Sequence, residues 1–223
     1  MADHAKLTDM DERRFSFLDH IVGQIDQALH ILAGPAPRVQ RESPAIEKNQ
    51  ADLSAPERAL AGRLMRVNHA GEIAAQALYQ GQALTARLPT IRLAMEQAAR
   101  EETDHLGWTQ QRVHQLGTHT SYLNPVWYAG SFLIGAVNGL MGDKWSLGFL
   151  AETEQQVVEH LHEHLTRLPQ ADGESRAILQ QMQADEAQHA TVALASGAEG
   201  LPWPVKLWMR ATSKIMTRVA FWI

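Results

Sequence analysis

Two Glu-x-x-His pairs are the feature of this sequence that most limits the folds it can adopt. The first pairs Glu102 with His105, and the second pairs Glu186 with His189. On an α-helix, residues three positions apart lie on one face, so both side chains of a pair can reach one metal ion. Each pair falls inside an apolar stripe, where a charged side chain is costly unless it is paired or bound to a metal. The two pairs therefore predict helices that pack around a metal centre.

A lone glutamate lies upstream of each pair, on a different predicted helix. Glu72 precedes Glu102 by 30 residues, and Glu154 precedes Glu186 by 32 residues. Alone, Glu72 would be read as an ordinary solvated helix residue, but its small, partly polar helix face suits an approach to a metal site. Glu154 lies at the centre of its helix's apolar stripe, whereas Glu152 points to the opposite side.

The chain reads as a duplicated helical hairpin. Periodicity predicts helices over about 54–88, 90–116, 145–168 and 174–196. Each half consists of a helix with one glutamate, a Leu-Pro turn and a helix with a Glu-x-x-His pair. The turns are Leu88-Pro89 and Leu168-Pro169, and Ser54 followed by Pro and Glu marks the first helix start. The predicted fold is all-α, a ferritin-like four-helix bundle over residues 54–200.

Segments at both ends lie outside the predicted bundle. Residues 1–53 hold a short amphipathic helix over about 14–32, interpreted as a docking arm or a membrane contact, and a Pro-rich linker. Residues 201–223 carry Lys206, Arg210, Lys214 and Arg218 on one side of a helix and aromatic or aliphatic residues on the other. This pattern is typical of a helix lying on an anionic membrane. A terminal helix packed on the bundle, or a dimer contact, is the alternative.

The stretch from residue 118 to residue 148 connects the two hairpins. It is apolar and rich in glycine, and we expect it to be irregular or weakly helical. Polar residues interrupt it before an apolar run of about 20 residues is reached, so it is not predicted to span a membrane. It suits the crossover of a bundle, and its apolar surface suggests a lid over a lipophilic substrate or a contact with lipid.

Composition removes several classes of protein. The net charge of −5 disfavours a general nucleic-acid binder, which is usually basic. The chain has no cysteine, which excludes disulfides, iron–sulfur clusters and zinc–thiolate sites and fits a reducing compartment. The first 11 residues match neither a secretory signal nor a transit peptide.

The predicted ligands suit two Fe(II) or Mn(II) ions, because hard carboxylate oxygens are mixed with imidazole nitrogen and no thiolate is present. Glu102 and Glu186 are the expected bridges between the ions. Glu72 would complete one ion's ligands together with His105, and Glu154 would complete the other's with His189. A carboxylate-bridged diferrous pair can reduce O2 by two electrons.

Other polar residues are candidates to support these ligands. Asp185 and Glu101 each precede a bridging glutamate, and a ligating imidazole usually donates its second N–H to a carboxylate. Tyr79 lies on the helix face of Glu72. The run from His160 to His164 is expected to lie mostly on the surface, with His160 kept as a supporting or channel residue.

The segment Leu64-Met65-Arg66-Val67-Asn68-His69-Ala70-Gly71-Glu72 closely resembles the opening motif of the demethoxyubiquinone hydroxylase family. The resemblance continues through residues 79–82, 102–105, Glu154 with His160, and 185–189, and covers about 55–223. It matches all six ligand positions of these di-iron monooxygenases. The N-terminal helix and linker are similar to the bacterial version.

This resemblance implies a reaction, a substrate and a location. The substrate would be a polyprenyl methoxy-methyl-benzoquinol, hydroxylated on the ring with O2 and two electrons from a donor that the sequence does not identify. The enzyme would sit peripherally on the cytoplasmic face of the bacterial inner membrane. Homo-oligomers, or complexes with other ubiquinone-biosynthesis proteins, are its expected assemblies.

Three rival interpretations share part of this pattern. A ferritin-like iron oxidase or store has the same metal site but little use for a basic, Trp-rich tail. A rubrerythrin-like peroxidase usually adds a cysteine-ligated iron domain, and this chain has no cysteine. In a non-enzymatic bundle the acids would form ion pairs, yet no Lys or Arg lies beside them on the inner stripes.

Overall fold

The computed structural model describes residues 17–34, 37–45 and 52–223, with only the backbone for residues 17–21. Within these ranges all regular structure is helical, which confirms the all-α prediction. The helices are α1 (Phe17–Ala33), α2 (Ala55–Thr85), α3 (Pro89–Gln115), α4 (Asn124–Met141), α5 (Asp143–Arg167), α6 (Gly173–Ala195) and α7 (Trp203–Ala220). The predicted helix start near residue 14 and parts of the Pro-rich linker, residues 35–36 and 46–51, lie outside the described residues.

Helices α2, α3, α5 and α6 form the bundle, and α2/α3 and α5/α6 are its two hairpins. The local signal for the start of α2 is confirmed. The backbone N–H of Ser54 donates to the Glu57 carboxylate at 3.0 Å, which closes the first turn of α2. The Asp172 carboxylate accepts from the Ser175 backbone N–H at 3.0 Å at the start of α6.

The crossover differs from the sequence expectation, because residues 124–141 form a regular helix that packs along α2. Two glycines explain the close approach. A Cβ on Gly81 would lie 2.2 Å from the Phe132 carbonyl oxygen, and one on Gly135 would lie 2.1 Å from the Leu78 carbonyl oxygen. The glycines that suggested an irregular chain therefore allow two helices to pack backbone against backbone.

Two apolar clusters divide the bundle along its length. One contains Leu64, Met65, Trp108, Val113, Leu161, Leu165, Ile178, Leu179 and Met182. The other contains Leu78, Tyr79, Met95, Ala99, Leu147, Phe149, Leu150 and Ala193. On each of the four bundle helices the predicted ligands fall in sequence between residues of these two clusters. The predicted ligands thus lie at mid-bundle, with apolar packing above and below them.

The outer helices pack on the bundle and still expose apolar side chains. Helix α1 buries part of Ala28, Ile31 and Leu32 against Ile73 and Tyr128. Helix α7 buries Met209 and Ala220, so the predicted alternative of a packed terminal helix is correct for one of its faces. The large apolar residues exposed on α4 and α7 are Val126, Leu133, Val137, Leu140, Met141, Trp203, Leu207, Trp208 and Ile215. Of the helices described, none is long and apolar enough to cross a membrane.

Candidate metal centre

The six predicted ligands meet in two overlapping groups at the centre of the bundle. One group is Glu72, Glu102, His105 and Glu186, and the other is Glu102, Glu154, Glu186 and His189. Within each group the ligand atoms all lie within 4.8 Å of one another. Glu102 and Glu186 belong to both groups, which is the arrangement expected of two carboxylates that bridge a pair of ions.

Both imidazole rings point the same nitrogen into the site. His105 Nδ1 lies 3.1 Å from a carboxylate oxygen of Glu102 and 3.1 Å from one of Glu186. His189 Nδ1 lies 3.2 Å from Glu186 and 3.5 Å from Glu102. The two halves are thus related by an approximate twofold symmetry that follows from the duplicated hairpin.

The four carboxylates are almost completely buried, with exposed fractions of 4% or less. Oε2 of Glu72 and Oε1 of Glu102 have no hydrogen-bond partner among the described residues. Burial, and then the charges of Glu102 and Glu186, raise the pKa of Glu72 well above its usual range. Burial and the charge of Glu186 do the same for Glu154. Without a cation these two acids therefore favour the protonated form.

Glu102 and the histidines balance this tendency. Burial alone would raise the pKa of Glu102, but the charge of His105, the contact of its Nδ1 with Glu102 Oε2 and the nearby His189 imidazole lower it overall. His105 and His189 are shifted the other way. Burial lowers the pKa of each, yet the facing carboxylates raise the pKa of His105 well above its usual range and that of His189 to about 10.

This donor set fits hard divalent cations. Buried carboxylates with unpartnered oxygens need positive charge, and within the described chain the two imidazoles are the nearest cationic groups that face them. Four carboxylates and two imidazoles without thiolate favour iron or manganese over softer ions. The cluster is therefore able to bind metal.

Two acids outside the ligand set hold the imidazoles, and they do so across the bundle. Nε2 of His105, on α3, lies 2.9 Å from Oδ2 of Asp185, on α6. Nε2 of His189, on α6, lies 2.9 Å from Oε2 of Glu101, on α3. The sequence singled out both acids for this role, and the structure shows that each one serves the histidine of the other helix. Such contacts fix the ring orientation and the tautomer.

The half of the site that contains His105 is covered by more residues than the half that contains His189. Residues 37–45, here called the strap, cross over α3 and α6 beside His105. Arg41 Nε donates to Asp104 at 2.9 Å, its Nη1 donates to Asp185 at 2.8 Å, and its guanidinium carbon lies 4.9 Å from the Trp108 ring centre. His105 is consequently fully buried, whereas the His189 side chain is 17% exposed.

The strap was not identified from the sequence. Arg41 lies in a Pro-rich segment without periodicity, which was interpreted as a linker, and nothing local to it indicates a partner 63 or 144 residues away. Partial burial raises the pKa of Asp185, but hydrogen bonds from His105 and Arg41 lower it to about 2. Asp185 therefore stays ionised and able to accept from both.

Tyr79 and His160, the other residues predicted to support the ligands, differ in their contacts. Tyr79 touches a candidate ligand, and His160 does not belong to either ligand group. The Tyr79 hydroxyl donates to the Glu154 carboxylate inside the bundle, and burial followed by the charge of Glu154 raises the Tyr79 pKa well above its usual range. His160 is half-buried, lies outside both ligand groups and lines an apolar cavity.

One surface prediction was wrong. His164 is buried, its Nδ1 lies 2.9 Å from Asn68 Oδ1, and its ring centre lies 3.9 Å from that of His160. The hydrogen bond to Asn68 on α2 draws the ring inward. In contrast, His162 is exposed as expected for this run. Glu159, which forms a further Glu-x-x-His pair with His162, is also exposed.

An apolar cavity of about 430 Å³ lies between α2, α4, α5 and α7. Its inner wall includes Gly71 and Thr153, which are the sequence neighbours of the candidate ligands Glu72 and Glu154. Its outer wall includes Val126, Trp208 and Ile215, which are 56%, 47% and 62% exposed. The cavity thus extends from the ligand-bearing helices to the exposed apolar side chains of α4 and α7.

Comparison with known proteins gives a consistent result. The model of the family described as "Ubiquinone biosynthesis protein COQ7" matches residues 59–220. A 3-demethoxyubiquinol 3-hydroxylase of Nitrosococcus oceani is 60% identical over 214 residues, which are 96% of this chain and 100% of that protein. Proteins of the same name from Nitrosospira multiformis and Stutzerimonas stutzeri are 56% and 53% identical, over 92% and 94% of this chain and 99% and 98% of their own lengths.

Proposed function

The chain belongs to the family of ubiquinone biosynthesis protein COQ7, and we propose that it hydroxylates the ring of a polyprenyl demethoxyubiquinol at a pair of iron ions. The protein is a hydroxylase of ubiquinone biosynthesis, as its relatives' names and their high identity indicate. The observation that carries the di-iron proposal is the sharing of Glu102 and Glu186 between two ligand groups. The alternative of an iron store lacks comparable support.

The stoichiometry of ring hydroxylation defines the electrons and protons that the reaction requires. One atom of O2 enters a ring C–H bond and the other leaves as water, so two electrons and two protons are consumed. When bound, a pair of ferrous ions supplies the electrons that reduce O2. The chain's own part is to hold the ions with Glu72, Glu102, His105, Glu154, Glu186 and His189, and to orient the imidazoles with Asp185 and Glu101.

Tyr79 has a related task. Because its pKa is raised, its hydroxyl keeps its proton and donates it in a hydrogen bond to Glu154. The bond holds one carboxylate oxygen of Glu154, and the other oxygen would remain available to hold a metal ion. We propose that Tyr79 fixes the position of this terminal ligand.

The apolar cavity is the proposed place of the quinol. Its lining is largely hydrocarbon, which suits a prenylated ring. Its polar residues on α2 and α5 are Asn68, Thr153, Gln156 and His160. Its inner wall lies beside the helix turns that bear Glu72 and Glu154. A ring seated there would lie next to the metal pair with its prenyl chain directed toward α4 and α7.

The same geometry supports contact with a membrane surface. The exposed residues Trp208, Ile215 and Val126 surround the outer part of the cavity, and Lys214 and Arg218 are exposed on α7. Aromatic and basic side chains of this kind are enriched at membrane interfaces. We propose that α4 and α7 rest on the cytoplasmic face of the bacterial inner membrane, from which the quinol enters.

The substitution Glu186→Ala tests the function, because Glu186 belongs to both ligand groups. We expect loss of most bound iron, measured by elemental analysis, and loss of hydroxylated product from a demethoxyubiquinol in vitro. Glu159→Ala is the matched control, since it removes an exposed glutamate of the third Glu-x-x-His pair on α5. Full activity and full iron content in the Glu186→Ala protein would refute the proposal.

A further inference from the structure

A second cavity, of about 580 Å³, lies between the first turns of α2, the turn after α3 and the end of α7. Its charged and polar lining consists of Arg58, Arg63 and Arg66 from α2 with Thr118 and His119 from the turn. We call these five residues the arginine pocket. All of its lining residues belong to the described part of the chain, and none of them carries a carboxylate.

Arg66 is the least usual member of the pocket. It is only 5% exposed, yet its hydrogen bonds go to neutral groups: Nε donates to the His119 carbonyl at 2.7 Å, and Nη2 donates to the Thr118 hydroxyl at 2.5 Å. The buried Arg112 instead contacts the carboxylates of Asp172 and Glu174. Arg66 has no such counter-ion among the described residues, and a buried charge without one is costly.

The neighbouring groups add positive charge rather than offset it. Burial, and then the charge of Arg63, lower the pKa of the Arg66 guanidinium, although arginine remains charged in proteins. The neighbouring His119 ring does not offset this charge, because an imidazole is neutral or positive. Its Nδ1 lies 2.8 Å from the Thr120 carbonyl, and its Nε2 lies 3.3 Å from Arg66 Nη2. The contacts of Arg66 use Nε and Nη2 and leave Nη1 for a ligand.

We propose that the arginine pocket binds a phosphate group, supplied by the headgroup of an anionic phospholipid. Three guanidinium groups around one cavity match the oxygens of a phosphate, which planar arginine forks bind in pairs. This site lies apart from the metal centre and does not depend on the hydroxylation reaction. Only the lipid as the source of the phosphate depends on the proposed membrane contact of α7.

The rim of the pocket favours a lipid over a soluble phosphate. Trp222 lines the cavity and is 65% exposed, and the Arg63 guanidinium carbon lies 4.4 Å from its ring centre. Tyr122 is 69% exposed and stacks on the His119 ring at 4.4 Å. Exposed Trp and Tyr beside arginine are typical of the headgroup region of a membrane.

The test uses the full-length, iron-loaded protein and two probes. The first probe is inorganic phosphate, titrated calorimetrically at constant ionic strength. The second is a pair of vesicles, one of phosphatidylcholine alone and one that also contains phosphatidylglycerol. Arg58→Gln removes a half-buried member of the pocket, and Arg100→Gln removes an exposed arginine of α3 that contacts Gln97 as the matched control.

We expect Arg58→Gln to weaken binding to the phosphatidylglycerol vesicles by about tenfold or more, and Arg100→Gln to change it by less than about twofold. Arg66→Lys keeps the charge but loses the planar fork, so we expect a similar loss. Circular dichroism and iron content establish that each variant is folded. Arg66 is buried, so its replacement tests folding as well as binding. If Arg66→Lys does not fold, the result for Arg58→Gln alone decides whether the proposal stands.

The two probes separate the source of the phosphate. If inorganic phosphate binds to the wild type and not to Arg58→Gln, while vesicle binding is equal in both, the pocket is a phosphate site with a soluble ligand. Lys214→Gln/Arg218→Gln on α7 should weaken vesicle binding and leave phosphate binding unchanged, which isolates the membrane contact from the pocket. Equal behaviour of Arg58→Gln and Arg100→Gln toward both probes would overturn the proposal.

Discussion

The ring of His105 and the carboxylate of Asp185 come from different hairpins of the bundle, and Nε2 and Oδ2 lie 2.9 Å apart. With Nε2 held in this way, Nδ1 faces the carboxylates of the metal centre. Asp185→Asn keeps the shape but weakens the charge-assisted bond that sets the ring. We expect metal affinity to fall about 10- to 100-fold, as is typical when a partner of a ligating histidine is removed.

Competition with a calibrated chelator measures this loss. Glu101→Gln makes the same change at His189, where Glu101 is 42% exposed and already accepts from Gln97 at 2.7 Å. Because Glu101 is exposed, water can replace its contact with His189. The Glu101→Gln variant should therefore lose less metal affinity than the Asp185→Asn variant. Equal losses for both variants would show that burial of the His105 half has no bearing on metal binding.

The strap predicts a second difference between the halves. Arg41→Ala removes the guanidinium that bridges Asp104 and Asp185 and covers His105. We expect metal to be released about tenfold faster, because the contact outside the ligand set no longer holds Asp185 in place. Stopped-flow transfer of metal to a chelator reports the rate.

Arg38→Ala is the control for this experiment, since Arg38 is exposed on the same strap. It tests for a general effect of removing an arginine from the segment. Release that is equally slow in the Arg41→Ala protein and the wild type would mean that the strap only covers the site.

The positions of the six candidate ligands were predictable because each follows from helix periodicity or from the duplicated hairpin. Glu102 with His105, and Glu186 with His189, are fixed by helix periodicity, and Glu72 and Glu154 follow from the duplication. These relations are local or repeat within the sequence. The outcome is a set of six residues that the bundle brings together as predicted.

The contacts that the sequence did not reveal are long-range or depend on side-chain size. Arg41 reaches Asp185 across 144 positions from a segment without periodicity. Helix α4 was expected to be irregular because Gly135 lowers helix propensity, but packing against Gly81 of α2 outweighs that preference. His164 turns inward because Asn68, on another helix, accepts its hydrogen bond.

The proposed quinol cavity gives a third prediction. Gly130 of α4 lines the cavity, and a Cβ on it would meet nothing within 4 Å, so Gly130→Phe adds a ring at the cavity wall without a backbone clash. We expect KM for the quinol to rise by about tenfold, which corresponds to ~1.4 kcal/mol of lost binding. Steady-state kinetics with a short-chain demethoxyubiquinol, together with iron analysis, measures the effect.

Gly23→Phe on α1 serves as the matched control, because a Cβ there also meets nothing within 4 Å and Gly23 is exposed. Iron content should be unchanged in both variants, which separates substrate binding from metal binding. An unaltered KM in the Gly130→Phe protein would place the substrate elsewhere.

Two buried histidines outside the candidate ligand set predict a loss of stability in acid. Burial lowers the pKa of His164 to about 2 and that of His69 to about 3. Both rings are therefore neutral in the folded protein, whereas the unfolded chain takes up protons as the pH falls through about 6.5. Below that value the unfolded state binds more protons, so the free energy of unfolding decreases until the pH reaches the folded-state pKa.

His164→Asn tests the sign and size of this effect, because the Asn amide can still donate to Asn68 but does not titrate. For one histidine the expected loss is about 1 kcal/mol between pH 7 and pH 5.5. Urea unfolding at both pH values should show a pH dependence smaller by that amount in the variant than in the wild type. His162→Asn, at an exposed position on the same helix, should retain the wild-type pH dependence. An identical pH dependence for His164→Asn and the wild type would mean that His164 gains its proton in the folded state.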